Sequence, residues 1–481
     1  MAKKQLTPKS LDMSKWYTQV IQQAKLADYS PVKGCMVIRP NGFAIWENMH
    51  AILDSYLKKL DIENAYFPLF IPLSFLSREA EHVEGFAPEL AIVTHGGGEE
   101  LEEKLVVRPT SETIMYEMYS QWVQSHRDLP ILLNQWNNVV RWEKRTYFFL
   151  RTTEFLWQEA HTAHATHEEA WQMVLDGLES YRKLVEENLA IPVVRGRKSE
   201  REKFAGADVT TTIEALMPDG KALQAGTSHD LGQNFSKKSA FNITFQDENG
   251  QAAYAWQTSF GLSTRTIGAL IMTHGDDDGL VIPPKVAKIQ VAIIPTDWQG
   301  PVMQSATELH AELQTLGVRS KIHTDSEHRM GWHLNEAEIQ GIPLVIVVGA
   351  REMEKGTLSV TIRHTKEKRE HQRTTIAKEI PQILSSIQTE LFQNAQKRVE
   401  LLTTTTESYD EFKETMSSKR GFIRAFWCER AECEDQIKEE TKATTRCLPF
   451  IDDKGSVAEE SGQCIKCGTS CSHRWLFAQA Y

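Results

Sequence analysis

Two short segments of this chain hold cations at spacings suited to phosphate. In RWEKRTYFFLRTTEF (141–155), Arg141 and Glu143 project from one face of an extended strand, because side chains alternate with period two. A guanidinium can clamp a phosphate oxygen while the neighbouring carboxylate accepts a hydrogen bond from an exocyclic amine. KRTYFF then reads as a flexible loop, with Arg151 returning on the partner strand as a second phosphate ligand. Taken alone, Arg-x-Glu also fits an ordinary surface ion pair. In GLSTRTIGALIM (261–272), a glycine, small hydroxyl residues and Arg265 open an apolar helix, whose free N–H groups and guanidinium can receive triphosphate oxygens. A capped core helix with one exposed arginine is the simpler alternative, but it does not predict the first segment.

The cysteines form a third group. Cys35 stands alone, whereas Cys428, Cys433, Cys447, Cys464, Cys467 and Cys471 crowd the last stretch of chain. Without an export signal, such crowding reads as a metal site before it reads as disulfides. Cys428 and Cys433, then Cys464 and Cys467, form the two paired arms that an all-thiolate tetrahedral zinc site requires. Cys447, Cys471 and His473 remain competitors, and CIKCGTSC alone also resembles part of an iron–sulfur run.

These groups need a scaffold. The 481 residues suggest roughly three domains. With 41% apolar and 25% charged residues, disorder, collagen and coiled coil are poor descriptions. No apolar run approaches a membrane span, and the basic start MAKKQLTPKSLDMSKW lacks an apolar h-region, so a cytoplasmic enzyme is expected. A net charge of −11 argues against coating nucleic acid through bulk electrostatics. Residues 283–400, with fifteen basic and fourteen acidic side chains and six histidines, are the least acidic part and the best candidate to face a polyanion.

Residues 43–60 space Trp46, Met49, Leu53, Tyr56 and Leu60 as an amphipathic helix, followed by the extended NAYFPLFIP. A long helix is expected over 167–189, with hairpins turning at MPDG (217–220) and DENG (247–250). The first 282 residues lack regular βαβ alternation and read as α+β on an antiparallel sheet. From IPPKVAKIQVAIIP onward, strands and helices alternate as in a compact α/β domain, with helices over 301–316 and near 331–340.

Arg-x-Glu, a loop, then Arg-x-x-x-Phe resembles motif 2 of class II aminoacyl-tRNA synthetases, and the segment ending in Arg265 resembles motif 3. The helix 43–60 with Pro68 and Pro72 resembles motif 1, the dimer interface of that family. More narrowly, RPTSE (108–112), RDLP (127–130), NQWNNVVRWE (134–143), EFLWQEAHTAH (154–164), LQAGTSHDLGQNF (223–235) and the ending FAQAY closely resemble the prolyl-tRNA synthetase family, over nearly the whole chain.

The resemblance implies an α+β catalytic core on an antiparallel sheet (1–282), an α/β anticodon-binding domain (283–400) and a small zinc-binding α/β C-terminal domain (401–481). It implies that proline and ATP give prolyl-adenylate and pyrophosphate, and that the prolyl group then passes to tRNA(Pro). Arg141 would hold the α-phosphate and the proline carboxylate, with Glu143 and Arg265 sharing the catalytic role. Trp142, Arg151, Thr152, Gln224, Thr227, Ser263 and Arg265 would line the ATP site, with Gln224 near Mg2+. Thr110, Glu112 and His229 match proline-binding positions, and Glu159 and His161 would wall the same pocket. The family assigns structural Zn2+ to Cys428, Cys433, Cys464 and Cys467, and packs its terminal tyrosine, here Tyr481, near the active site, so a C-terminal tag is expected to impair activity. Between Phe155 and Gly261 there is no room for the inserted editing domain of one bacterial branch, so correction of mischarged tRNA would need a separate protein.

The chain departs from the pattern at the anticodon. Glu338 is retained, but Val345 and Val347 stand where the family usually has arginine and glutamate, and valine cannot replace a bidentate arginine contact to guanine. Arg351, Lys355 and Arg363 are candidates to compensate. Ala160, in place of glycine, is a smaller departure. The expected assembly is a cytoplasmic homodimer. The alternative is a synthetase-like paralogue that binds RNA without aminoacylation, although Arg141, Glu143, Arg151 and Arg265 are all present.

Overall fold

In a computed structural model, residues 6–76, 90–325 and 327–481 are described; the first five residues of the basic start lie outside them. Within the first 282 residues, seven strands form one sheet: β1 (Glu63–Asn64), β2 (Ile131–Val140), β3 (Glu154–His164), β4 (Val193–Arg197), β5 (Val209–Leu216), β6 (Ala222–Gly232) and β7 (Trp256–Ser263). Their spatial order is β4-β5-β6-β7-β3-β2-β1, and every pair is antiparallel except the short β1–β2 pairing. Both expected hairpins form, and Gly220 supplies the positive φ of +78° that the β5–β6 turn needs.

One face of the sheet is covered by a helix spanning His167–Lys183, opened by a capping box between Thr166 and Glu169. Its Leu178 and Tyr181 pack with Ile213, Ala225 and Phe260. The helix lies so close that a Cβ on Gly226 would sit 2.9 Å from the Tyr181 ring. The single helix expected over 167–189 instead changes to a π turn over Leu184–Asn188, which the Leu189 N–H closes by donating to the Leu184 carbonyl at 3.1 Å. The other face is left for the site.

The next unit is an α/β sheet of β8 (Val291–Pro295), β9 (Ser320–Ile322), β10 (Leu344–Val348), β11 (Thr357–Ile362) and β12 (Lys368–Gln372), ordered β9-β8-β10-β11-β12. The runs VAIIP and LVIVV are almost continuously apolar because helices cover the parallel strands on both faces. Val345 is one of these core residues, packed with Ala292, Ile294 and Ala337.

The tail contributes β13 (Thr403–Thr405), β14 (Phe422–Phe426), β15 (Ala443–Pro449) and β16 (Arg474–Gln479). It is no appended knob: β15 pairs with β4 through Leu448↔Arg197 and Pro449↔Gly196, merging both regions into one eleven-stranded sheet. Gly196 permits this, because a Cβ there would lie 2.3 Å from the Leu448 carbonyl oxygen. A buried ion triad seals the seam, with Lys198 Nζ 2.6 Å and Arg446 Nη2 2.9 Å from opposite oxygens of Glu214.

Candidate active site

The exposed face of the antiparallel sheet carries a cavity of about 260 Å³. Period-two alternation builds its walls: Phe155, Trp157, Glu159 and His161 come from one face of β3, and Ser259, Gly261 and Ser263 from one face of β7. Strand β6 adds Gln224, Thr227 and His229, and the turn leading into the helix Glu112–Trp122 adds Thr110 and Glu112.

One end is acidic. Glu159 is fully enclosed, and its carboxylate accepts from the Ser111 backbone N–H (3.0 Å), Asn137 Nδ2 (2.6 Å) and Gln135 Nε2 (3.3 Å). His161 Nε2 lies 3.0 Å from Glu159 and its Nδ1 4.0 Å from Glu112. Thr110 donates to Glu112. Burial alone would raise the Glu159 pKa, but the bonds from His161, Ser111 and Asn137 hold it below the usual carboxylate range. Burial depresses His161, yet Glu112 and Glu159 outweigh it, so the imidazole ends above its ordinary value. The ligand atoms of Glu112, Glu159 and His161 fall within 4.8 Å of one another, a set that suits a cation, an ammonium group included. His229 differs: burial, then His161 and Arg141, push it down to about 3, so it is a neutral imidazole that shares a 2.9 Å hydrogen bond with Thr210.

The opposite end is cationic. Arg141 donates from Nε to the Pro109 carbonyl at 3.1 Å and lies 5.6 and 5.3 Å from the Phe155 and Trp157 rings. Arg265 opens the helix Arg265–His274, as expected, and is anchored to the Leu150 carbonyl at 3.2 Å. Burial, followed by repulsion from Arg141 and Arg151, lowers Arg265 to about 10, with three guanidinium groups gathered at this end.

Several expectations need correction. Strand β2 ends at Val140, so Arg141 and Glu143 lie beyond the regular strand, and Glu143 is bound by Arg151 at 2.7 Å. Arg151 precedes β3, in a bridge with Tyr147. Glu143 and Arg151 line a neighbouring cavity of about 620 Å³ that shares Gln224 and Arg265 with the first. Trp142 is 57% exposed and Thr152 is buried, donating to the Glu154 carbonyl; neither lines either cavity. The other ten predicted positions do meet in the first cavity. Sequence reasoning missed Trp157, Ser259, Lys203 and Phe204. The first two share a strand face with named residues, a period-two signal that was available; the last two come from a loop with no motif.

Tyr481 lines the second cavity, its N–H donating to the Ala222 carbonyl at 3.2 Å and its ring 4.7 Å from Lys221 Nζ. In the tail, Cys428, Cys433, Cys464 and Cys467 gather within 4.8 Å, with Cys428 Sγ 3.6 and 3.7 Å from those of Cys433 and Cys467. A tetrahedron with ~2.3 Å metal–sulfur arms has edges of about 3.8 Å, so the sulfurs fit zinc. Cys447 is buried in β15, Cys471 donates toward the Gly462 carbonyl and His473 bonds the Ala458 carbonyl; none belongs to this cluster.

Near the expected anticodon face, Glu338 lies in the helix Met330–Ile339, partly exposed, and Arg351 and Lys355 are exposed. Arg363 is not available to RNA: only 4% exposed, it forks onto Asp276 at 2.6 and 2.8 Å and donates to the Glu338 carbonyl. Among the described residues, no helix is long and apolar enough to cross a membrane.

Comparison with known proteins agrees with this geometry. Residues 93–274 match the family model "tRNA synthetase class II core domain (G, H, P, S and T)", 290–383 match "Anticodon binding domain", and 409–481 match "Prolyl-tRNA synthetase, C-terminal". The proline--tRNA ligase of Chloroherpeton thalassium is 53% identical over 487 residues, covering 100% of both chains. That of Chlorobium phaeovibrioides is 52% identical, covering 99% of each, and that of Natranaerobius thermophilus 51%, covering 99% of this chain and 98% of its own. With class II core, anticodon-binding and C-terminal matches following one another along the chain, and relatives 51–53% identical over nearly their whole length, the chain belongs to the prolyl-tRNA synthetase family.

Proposed function

We propose that this chain ligates L-proline to tRNA(Pro) in two steps, through prolyl-adenylate, using ATP and releasing pyrophosphate and AMP. The observation that carries this reading is a single cavity with an acidic end, Glu112 beside His161 and Glu159, and a cationic end, Arg141 and Arg265. The proline ammonium is assigned to Glu112 and Thr110, with His161 and Glu159 holding Glu112 in place and neutral His229 closing the ring pocket. Its carboxylate then points at Arg141.

In the first step a proline carboxylate oxygen attacks the α-phosphorus and the bond to the bridging oxygen of pyrophosphate breaks. No protein nucleophile is needed. Arg141 is assigned to the pentacoordinate charge that builds up, and Arg265, Arg151 and Ser263 to the leaving phosphates, so the catalysis is electrostatic. Glu143 orients Arg151 by their ion pair, and Thr227 and Gln224 line the nucleotide side. Gln224 would hold Mg2+, which when bound would supply neutralisation of phosphate charge.

The same reading divides the chain into catalytic (1–282), anticodon-binding (283–400) and zinc-binding (401–481) regions, with structural Zn2+ on Cys428, Cys433, Cys464 and Cys467. Glu338 faces the anticodon, and Arg351 and Lys355 remain to compensate for Val345 and Val347. A cytoplasmic homodimer fits as well, supported by the exposed apolar Tyr66 and Phe70 beside the motif 1 helix. The non-aminoacylating paralogue has no observation in its favour.

ATP–pyrophosphate exchange tests the assignment. Proline should support the strongest exchange, with alanine or cysteine weaker substrates, and Arg141→Ala should lower the proline rate about 100- to 1,000-fold, the scale set by removing one charge-stabilising donor. Exchange with no amino acid, from folded and metal-loaded protein, would refute it.

A further inference from the structure

The tail reaches the amino-acid end of the cavity through one helix. Helix Ala431–Thr441 carries Cys433 of the cysteine cluster, and its next two residues face the catalytic region. Glu434 is 3% exposed; its Oε1 accepts from Ser199 Oγ at 3.3 Å and from Thr445 Oγ1 at 2.5 Å. Asp435 pairs with Arg201 at 2.5 Å. Ser199 starts the segment that crosses the cavity, its carbonyl accepting the N–H groups of Glu202 (3.1 Å) and Lys203 (2.9 Å). Glu202, Lys203 and Phe204 then line the cavity. The Phe204 N–H donates to Thr210 Oγ1 at 2.8 Å, the same hydroxyl that meets His229, and the Phe204 ring lies 4.7 Å from the His229 imidazole.

A seam needing only adhesion would be cheaper with apolar residues, because a buried carboxylate loses hydration that two hydroxyl donors only partly restore. A directional acceptor at Glu434 instead fixes where segment 199–206 starts. We infer that Glu434, assisted by Asp435, is a positioning residue for the proline pocket: the helix anchored by Cys433 holds segment 199–206 so that Phe204 packs on His229. The metal-bearing tail thereby tunes amino-acid affinity while the nucleotide end, built from Arg141, Arg151 and Arg265, is left alone. This rests on the proposed proline pocket.

The test measures KM for proline and for ATP in pyrophosphate exchange with the full-length, metal-loaded protein, together with metal content. Glu434→Ala and Ser199→Ala should each raise the proline KM about tenfold, as expected for a lost hydrogen bond to a charged group, and leave ATP KM and metal content within about twofold of the parent. Glu434→Gln, which keeps an acceptor oxygen, should recover most of the loss, and the double variant should be no worse than Glu434→Ala alone, since the Ser199 bond is already gone in it. If Glu434→Ala fails to fold, Ser199→Ala decides, because it leaves the tail intact. An unchanged proline KM in Ser199→Ala, or an equal rise in ATP KM, overturns the inference. A parent enzyme without proline-dependent exchange overturns the proposed function instead.

Discussion

Two clusters in this molecule meet the same distance condition: the ligand atoms of Glu112, Glu159 and His161 lie within 4.8 Å of one another, and so do those of Cys428, Cys433, Cys464 and Cys467. They differ in what occupies their lone pairs. Around Glu159, Ser111, Asn137, Gln135 and His161 already donate hydrogen bonds, and Thr110 donates to Glu112, so the cluster is a finished polar network with room for one more donor. In the tail, sulfur faces sulfur at 3.6 and 3.7 Å, an arrangement with little to hold it unless a cation sits between. Proximity of ligating atoms therefore does not distinguish a metal centre from a substrate pocket. The state of their hydrogen bonds does.

The sharpest way to break this comparison is to remove metal. Chelation or Cys464→Ser should unfold the tail locally and cost several kcal/mol, since structural zinc contributes its binding energy to folding, read as a melting temperature lowered by more than about 5 °C. A chelator-insensitive melting curve would make the tail cluster as self-sufficient as the pocket. Next in size, Glu112→Gln should raise the proline KM about 10- to 100-fold, through loss of a hydrogen bond to a charged group, without altering metal content. Loss of metal in that variant would show the two clusters to be coupled and not independent.

The smallest effect concerns pH. His229 and His164 are both buried, at about 3 and about 4, against an unfolded value of 6.5. Between those values the unfolded chain binds more protons, so stability is fully present above pH 6.5 and falls as pH drops, by roughly 1 kcal/mol per pH unit for each group. His161 has the opposite sign: its raised pKa contributes stability below 6.5 that is lost as pH climbs through the folded value. Melting temperatures across pH 4–8 should decline on the acid side in the parent, and less steeply in His164→Gln. A flat acid limb would show that these imidazoles are not held neutral.

Legibility in the sequence followed the range of the interactions. The hairpin turns, the helix opening at Arg265 and the paired cysteines rest on residues a few positions apart, and the structure has them where the spacing places them. The regular strand expected to carry Arg141 and Glu143 stops short of them at Val140, and Glu143 pairs with Arg151, eight residues after it. Arg363 looked like a surface cation next to an altered anticodon strand. It proved to be spent on Asp276, 87 residues away, which no local pattern reports. Phe204 and Lys203 carried no motif at all; their place on the cavity wall is set by Ser199 and Thr210, and from further away by Glu434.

The sequence by itself offered cations beside a helix start, alternating strand faces and two spaced cysteine pairs, which are local statements about charge and periodicity, and its resemblance to a family added the expected chemistry and the order of the three regions. Only the tertiary structure decided which carboxylate meets which cation, and that β15 of the tail extends the catalytic sheet at Gly196. Those outcomes depend on which groups lose water together. Burial makes a mismatched charge costly enough to select one set of partners out of many that the sequence allows.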